Sequence, residues 1–170
     1  MNLLHIFRFT HLLSTGLLTG ILFGDRWGTT PIRPTLPASC FTQFQQGLHV
    51  NYVPLMPILI IASILSGLIS MVLLRRSYKN KDFIFTAIGT LCIAAVFVLT
   101  RIVNVPINNE LMTWQISAPP QNWLQIWMPW EQAHTVRTVI SIVGFVCLLI
   151  AVTVMAREPT LKQSVATDAD

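Results

Sequence analysis

A run of polar residues near position 100 has the composition of a binding or catalytic site. Arg101, Asn104 and Asn108 are separated by three and four positions, so on a helix they would share one face. The run ends a long apolar stretch, where an arginine is costly unless water or a partner satisfies it. Pro106 interrupts the helical hydrogen-bond ladder, which predicts a kink and a free carbonyl within residues 100–102.

A second polar group introduces the last apolar segment of the chain. Glu131, His134 and Arg137 recur every three residues. A histidine beside a carboxylate is suited to accept a proton near neutral pH, and an arginine near a glutamate predicts a paired network. Each residue taken alone fits an ordinary role equally well, such as capping a helix or binding lipid phosphate. The convergence of both groups at one end favours a common site.

The composition indicates an integral membrane protein. Of the 170 residues, 53% are hydrophobic and 11% are charged, whereas a soluble domain carries about 25% charged residues. Four apolar segments are each about long enough to cross a hydrocarbon core of roughly 30 Å as a helix. These segments are 3–23, 53–74, 83–105 and 135–156. We predict an all-α fold, an antiparallel four-helix transmembrane bundle over 1–157, followed by a polar, disordered cytoplasmic tail over 158–170.

Basic residues determine the predicted orientation in the membrane. Residues 75–82 contain four cations, which marks this connection as cytoplasmic. Four crossings then place both termini in the cytoplasm, with 25–52 and 106–134 on the outer face. Because this topology explains the net charge of +4, we predict no nucleic-acid partner. The cytoplasmic half of the bundle is expected to lack polar residues that could line a transport path.

The second outer segment is rich in tryptophan. It contains Trp114, Trp123, Trp127 and Trp130. An aromatic belt at the membrane interface would account for them, and a lid over a pocket for a flat ligand is the alternative. Pro129 is expected to break any long helix there. We therefore predict two short helices, one around Trp114 and one over 123–127.

Histidines raise the question of a metal. Gln45 and His49 lie four residues apart where the second helix is entered, and His11 could form the floor of the same site. A metal site of His11, His49 and His134 across three helices is geometrically possible, but no ligand spacing supports it. We therefore predict no cofactor, although copper, iron, zinc or haem stays open.

The spacing of the polar groups carries a family resemblance. The chain contains the pattern Arg101-x-x-Asn104-x-Pro106-Ile-Asn108-x-x-Leu111-x-x-Trp114, and then Trp130-x-x-x-His134-x-x-Arg137. This pattern resembles the anthrone oxygenase-like family of small four-helix membrane proteins, many of which have no assigned function. The resemblance extends to about residue 156. It implies an oxygenase for aromatic polyketides that inserts oxygen at an activated methylene without flavin or nicotinamide.

The resemblance also implies roles for individual residues. His134 would remove a ring C–H proton, and Arg137 or an asparagine would hold the developing oxyanion. The candidate catalytic residues are His134, Asn108, Asn104, Arg137 and Arg101. The candidate substrate-binding residues are Trp114, Trp130, Glu131, His49, Gln45 and Asn109.

Three functions are compatible with such a pocket. The first is a membrane-embedded oxidoreductase that oxidises a small aromatic or quinol-like substrate with dioxygen near the outer face. The second is a non-catalytic protein that binds a lipid, a quinone or a small aromatic. The third is a metal-dependent membrane oxidase. The predicted partners are the lipid bilayer and a small apolar aromatic or quinone-like ligand, and oligomerisation is compatible with all three.

Overall fold

The fold is all-helical, as predicted. The computed structural model describes the backbone of residues 2–167 and the side chains of residues 2–153. The helices are α1 (Leu3–Gly28), α2 (Ala38–Leu74), α3 (Lys81–Leu99), α4 (Val105–Leu111) and α5 (Trp123–Thr167). No strand occurs within this described range. Four of its helical segments are long and apolar enough to cross a membrane.

Exposed side chains along the long helices are apolar, which is the reverse of a soluble protein. Ile58, Leu91 and Ile102 are 64%, 67% and 69% exposed. Exposed apolar side chains along helices long enough to span a bilayer are typical of a surface that faces hydrocarbon. The chain is therefore a multi-pass membrane protein. Its orientation, with both termini in the cytoplasm, stays a prediction.

The long helices form a four-membered ring in which α1 packs on α2 and α5, and α3 packs on the same two helices. We call the end that carries connections 29–37 and 112–122 the loop end. The opposite end carries the start of α1 and residues 75–80. Helices α3 and α5 approach closely where Gly89 meets Gly144, since a Cβ atom added at Gly144 would lie 2.8 Å from the Cβ of Cys92. Small residues allow this contact between backbones.

Two helices begin, at the loop end, well before the apolar segments that were predicted for them. Helix α2 begins at Ala38 and α5 begins at Trp123. Pro129 lies inside α5 and does not break it, so the prediction of a break was wrong. The expected short helix around Trp114 was also wrong, because Trp114 lies in the turn that follows α4. Packing of the indole rings outweighs the one hydrogen bond that Pro129 removes.

The expected irregularity before Pro106 is a π-helical turn over Thr100–Asn104. The N–H of Val105 bonds to the carbonyl of Thr100, five residues earlier. A proline cannot supply the next N–H and its ring crowds the preceding turn, so the wider turn accommodates it. The chain then continues as α4.

The half of the bundle away from the loop end is polar inside, contrary to expectation. Its buried polar residues include Arg8, His11, Ser66, Ser70, Thr86 and Thr90. Arg8 Nη2 lies 2.7 Å from Asp82 Oδ2. Several hydroxyls donate to a carbonyl of their own helix one turn earlier, as Ser70 does to Ser66 at 2.8 Å. Because such hydroxyls are satisfied locally, they can lie inside an apolar segment without a partner from another helix.

The end of α5 extends past the predicted transmembrane domain. The helix continues to Thr167, while residues 168–170 and all side chains beyond residue 153 lie outside the described part. The disordered tail over 158–170 therefore stays a prediction.

Candidate functional site

A cavity of about 340 Å³ lies inside the loop end of the bundle. Its walls come from α1, α2, α5, the π turn and α4, with Arg33 from the first connection. Leu22, Val53, Met56 and Ile60 make one side apolar. The polar lining residues are Asp25, Arg33, Gln45, His49, Tyr52, Thr100, Arg101, Asn108, Asn109, His134 and Arg137. An apolar cavity of this size with polar groups converging on it is the usual form of a small-molecule site.

Arg33 links the first connection to the rest of the site. It begins a short 3₁₀ turn, Arg33–Thr35, and is 1% exposed. Its Nη2 lies 2.6 Å from Asp25 Oδ1 and its Nη1 lies 2.9 Å from Glu131 Oε1. Its Nε donates to Gln45 Oε1 at 3.1 Å. The planar guanidinium thus joins α1, α2 and α5 through one side chain.

Two carboxylates balance the positive charge of the site. Asp25 accepts a hydrogen bond from Thr29 as well as from Arg33. Glu131 accepts from Trp127 Nε1 at 2.8 Å. The interior therefore holds Arg33 and Arg137 against Asp25 and Glu131, so the charges of these four groups sum to zero. A buried charge is tolerated when it is paired and hydrogen-bonded in this way.

His134 lies between Asp25 and Arg137. Its Nε2 lies 3.0 Å from Asp25 Oδ2. Its Nδ1 accepts from Arg137, whose Nε and Nη2 lie 3.2 and 3.1 Å away. A guanidinium can only donate, so the proton of the neutral imidazole belongs on Nε2, which lies beside the Asp25 carboxylate but is not aligned for a hydrogen bond to it. Arg137 Nη1 also donates to Thr100 Oγ1 at 3.3 Å, which connects α5 to the π turn.

Trp130 forms the aromatic floor beneath this polar chain. Its ring stacks on His134 with centroids 4.9 Å apart. The guanidinium carbons of Arg33 and Arg137 lie 5.1 and 5.0 Å from its ring centroid. These distances are within the range of cation–π attraction. The indole thereby holds both arginines and the histidine in place.

The tryptophans form a packed cluster, which was not expected from the sequence. Trp114, Trp127 and Trp130 are buried and pack with Phe41 and Leu111. Trp127 stacks on Trp130 at 4.4 Å between centroids. The cluster supports the cavity from behind, and of its members Trp130 alone lines the cavity. They form neither a lid nor an interfacial belt, because α2 begins early enough for Phe41 to reach them.

Most of the predicted site residues meet at the cavity. Those that line it are Gln45, His49, Arg101, Asn108, Asn109, Trp130, His134 and Arg137. Gln45 and His49 lie on one face of α2, as their spacing predicts.

Three predicted residues lie outside the lining. Asn104 is completely buried and its Nδ2 donates to the carbonyl of Trp130 at 3.2 Å. The π turn widens the helix at this point, so Arg101, Val105 and Asn108 face the cavity while Asn104 faces α5. Trp114 packs in the aromatic cluster. Glu131 lies behind Arg33 and acts on the cavity through it.

His11 is separate from the other two histidines of the suggested metal site. It lines a small cavity with Arg8 and Thr86 in the opposite half of the bundle. Within the described residues, no group of three His, Cys, Asp or Glu side chains could hold a metal ion.

Asp25, Arg33 and Thr100 complete the site and were missed from the sequence. Asp25 is the single carboxylate of the first 81 residues, and a network with two buried arginines requires such a partner. That argument could have identified it. Arg33 carries no comparable signal, because it stands alone between two prolines.

The fold and the site together define a small polytopic membrane protein with an internal cavity that ends in a balanced polar network. A family model for anthrone oxygenase matches residues 44–147. This range is more than half of the chain, which therefore belongs to the anthrone oxygenase family. No curated protein and no solved structure matches it.

Proposed function

We propose that the protein oxidises a small aromatic or quinol-like substrate with dioxygen inside the 340 Å³ cavity. The observation that carries the proposal is the chain Asp25–His134–Arg137, which lines a cavity that also has apolar walls. Membership in the anthrone oxygenase family supports the same class of reaction. The cavity volume is within the range of about 300–1,000 Å³ that holds drug-sized ligands.

The base of the proposed reaction is His134. Its Nδ1 is the one nitrogen without a proton, and at rest that atom accepts from Arg137. When Arg137 turns towards a substrate oxygen, Nδ1 becomes free to accept a C–H proton from an activated methylene. The charge of Asp25, whose Oδ2 lies 3.0 Å from Nε2, then stabilises the imidazolium that results. Orientation and charge stabilisation by a carboxylate are the usual roles of such a partner.

The negative charge that develops on the oxygen of the deprotonated substrate needs hydrogen-bond donors. Arg137 is next to the histidine, and Asn108 lines the cavity from α4. Hydrogen-bond donors aimed at a developing oxyanion stabilise it strongly in a site of low dielectric constant. The substrate's carbonyl or phenolic oxygen would therefore point to Arg137, with the reacting carbon over His134 Nδ1.

Atoms and electrons balance with dioxygen as the only oxidant. A quinol gives two electrons and two protons to O₂ and yields a quinone and H₂O₂, whereas an activated methylene is oxidised by four electrons. The methylene loses one proton to His134, and the carbanion's electron pair forms a C–O bond to O₂. The proton returns to give a hydroperoxide, which eliminates water and leaves a carbonyl. One oxygen atom enters the product and the other enters water. The four-electron oxidation of carbon thus matches the four-electron reduction of O₂, and the apolar walls admit both reactants.

Oxygen uptake by purified protein tests the proposal. Wild-type protein with an anthrone or a hydroquinone should consume oxygen, and His134→Ala and Asn108→Ala should consume it much more slowly. Val139→Ala is a suitable control, since Val139 is 56% exposed on the outside of α5. If His134→Ala and Asn108→Ala match the wild-type rate, the assigned site is wrong.

A second function is favoured by the same contacts. Nδ1 of His134, the proposed base, is already occupied by a hydrogen bond from Arg137, which also suits a rigid site that binds a lipid, a quinone or a small aromatic without turnover. Native mass spectrometry after gentle detergent extraction separates the two. A co-purified ligand together with no turnover of any aromatic substrate would favour the binding protein.

A further inference from the structure

We infer that the cavity receives its ligand sideways from the bilayer, and that the ligand is a lipid-dissolved aromatic molecule carrying an acidic group. This inference rests on the proposed function for its choice of an aromatic ligand. The opening lies between α2 on one side and the π turn with α4 on the other.

Exposure of the lining residues locates the opening. The back wall is buried, with Leu22 at 2%, Ile60 at 3% and His134 at 1% exposure. Val53 lines the same cavity and is 50% exposed, and Arg101 across from it is also exposed. The cavity therefore runs from a closed interior to a rim between α2 and the π turn.

The surface around this rim consists of exposed apolar side chains. Val50 and Ile58 on α2 are 62% and 64% exposed. Val98 and Ile102 on the facing segment are 50% and 69% exposed. Side chains of this kind on a transmembrane helix face hydrocarbon. A ligand that reaches the rim between them comes from the membrane.

Irregular backbone flanks the opening on both sides. Pro54 and Pro57 lie inside α2 next to Val53, and each removes a hydrogen bond from the helix and favours a bend. The π turn over Thr100–Asn104 lies opposite, and such turns occur frequently at functional sites. The two irregularities explain why neighbouring helices leave a gap here and pack closely elsewhere.

Charge indicates the acidic group. The interior is neutral, because the charges of Arg33 and Arg137 are matched by those of Asp25 and Glu131, so an added anion meets no excess positive charge there. Arg101 at the rim has no hydrogen bond or ion pair within the described part of the chain. An unpaired arginine at the edge of hydrocarbon is stabilised by an anion. A carboxylate or phenolate of the ligand supplies one, and so does a lipid phosphate.

Binding without oxygen tests the inference separately from turnover. The probes are anthracene-2-carboxylate and the uncharged 2-anthracenemethanol, added anaerobically to protein in nanodiscs of zwitterionic lipid. Wild-type protein should bind the carboxylate about tenfold more tightly, which corresponds to roughly 1.4 kcal/mol. Arg101→Gln should abolish this preference, and Arg101→Lys should retain it. Equal binding of both probes by wild-type protein would overturn the inference that the ligand carries an acidic group.

A lipid phosphate would give a different result. In that case the preference for the carboxylate is absent, and native mass spectrometry shows a phospholipid that dissociates from Arg101→Gln. Wild-type protein that binds the probes but oxidises no substrate leaves this inference intact and refutes the proposed enzyme activity alone.

A bulky residue at the rim tests the route. Val53→Trp should slow association and dissociation of both probes, while Val139→Trp on the lipid face of α5 should not. Asn109→Trp narrows the opposite side of the rim, and it provides the same test if Val53→Trp folds poorly. The fluorescence added by Val53→Trp should be quenched by brominated acyl chains. Unchanged rates in both rim variants, or no quenching, would exclude entry from the bilayer.

Discussion

The carboxylate Oδ2 of Asp25 lies 3.0 Å from Nε2 of His134, which joins the end of α1 to the start of the transmembrane part of α5. The other ring nitrogen accepts from Arg137. The position of the imidazole proton therefore follows from its two neighbours, and that position leaves Nδ1 as the atom that can accept a proton.

Asp25→Asn should lower turnover by about 10²-fold or more, the usual contribution of general base catalysis. The amide keeps the shape of the side chain but removes the charge that stabilises a protonated His134. Anaerobic binding of the anthracene probes should persist. Oxygen uptake measures the loss. Asp82→Asn is the matched control, since Asp82 pairs with Arg8 in the opposite half of the bundle, and its turnover should be unchanged.

Arg137→Lys should lower kcat by about 10²-fold, the usual effect of losing one oxyanion donor. Lysine keeps the charge but not the planar fork, so it cannot replace the contacts to His134 and Thr100. KM should change little, because the loss falls on the transition state. Arg26→Lys makes the same exchange at a residue outside the cavity lining and should leave kcat as it is. A rise in KM with constant kcat would contradict the role of Arg137.

Arg33→Met should destabilise the fold by about 3–5 kcal/mol, the cost of breaking a buried ion pair from one side. Asp25 and Glu131 would both lose their guanidinium partner. Thermal unfolding in detergent measures the change. Arg26→Met, in the last turn of α1, should unfold close to the wild-type temperature. Equal transitions for the two variants would show that the network does not support the fold.

Gly144→Ala should destabilise the bundle by about 1–3 kcal/mol, the range for overpacking. The new methyl group would lie 2.8 Å from the Cβ of Cys92, which is attached directly to the α3 backbone and cannot turn away. Gly20→Ala is the control, because nothing lies within 4 Å of its added Cβ. That variant should be as stable as wild type or more so. The two substitutions can be compared by thermal unfolding in the same detergent.

Residues in one helix could be predicted as neighbours from the sequence, whereas residues from separate segments could not. The pairs Gln45–His49 and His134–Arg137 line the cavity because helical spacing fixes their face. Asp25 and Arg33 reach His134 and Glu131 across more than 90 positions. Such contacts depend on how α1 and its connection pack on α5, which no local pattern records.

Local backbone geometry and aromatic packing explain the other differences between the predicted and the observed site. Asn104 fits the helical stripe of Arg101 and Asn108, but the π turn before Pro106 directs it towards α5. The indoles of Trp114 and Trp127 look like interfacial anchors when read alone. Their partner Phe41 belongs to the early part of α2, which carries too little hydropathy to be recognised as part of a spanning helix.

The ion pair between Asp25 and Arg33 has a consequence for how the protein is made. Both residues leave the ribosome about a hundred residues ahead of Glu131 and His134. Their charges cancel at a distance of 2.6 Å, so the first hairpin can enter the membrane before its later partners exist. The site itself is complete only when the last helix has inserted, which makes a truncated chain unable to assemble it.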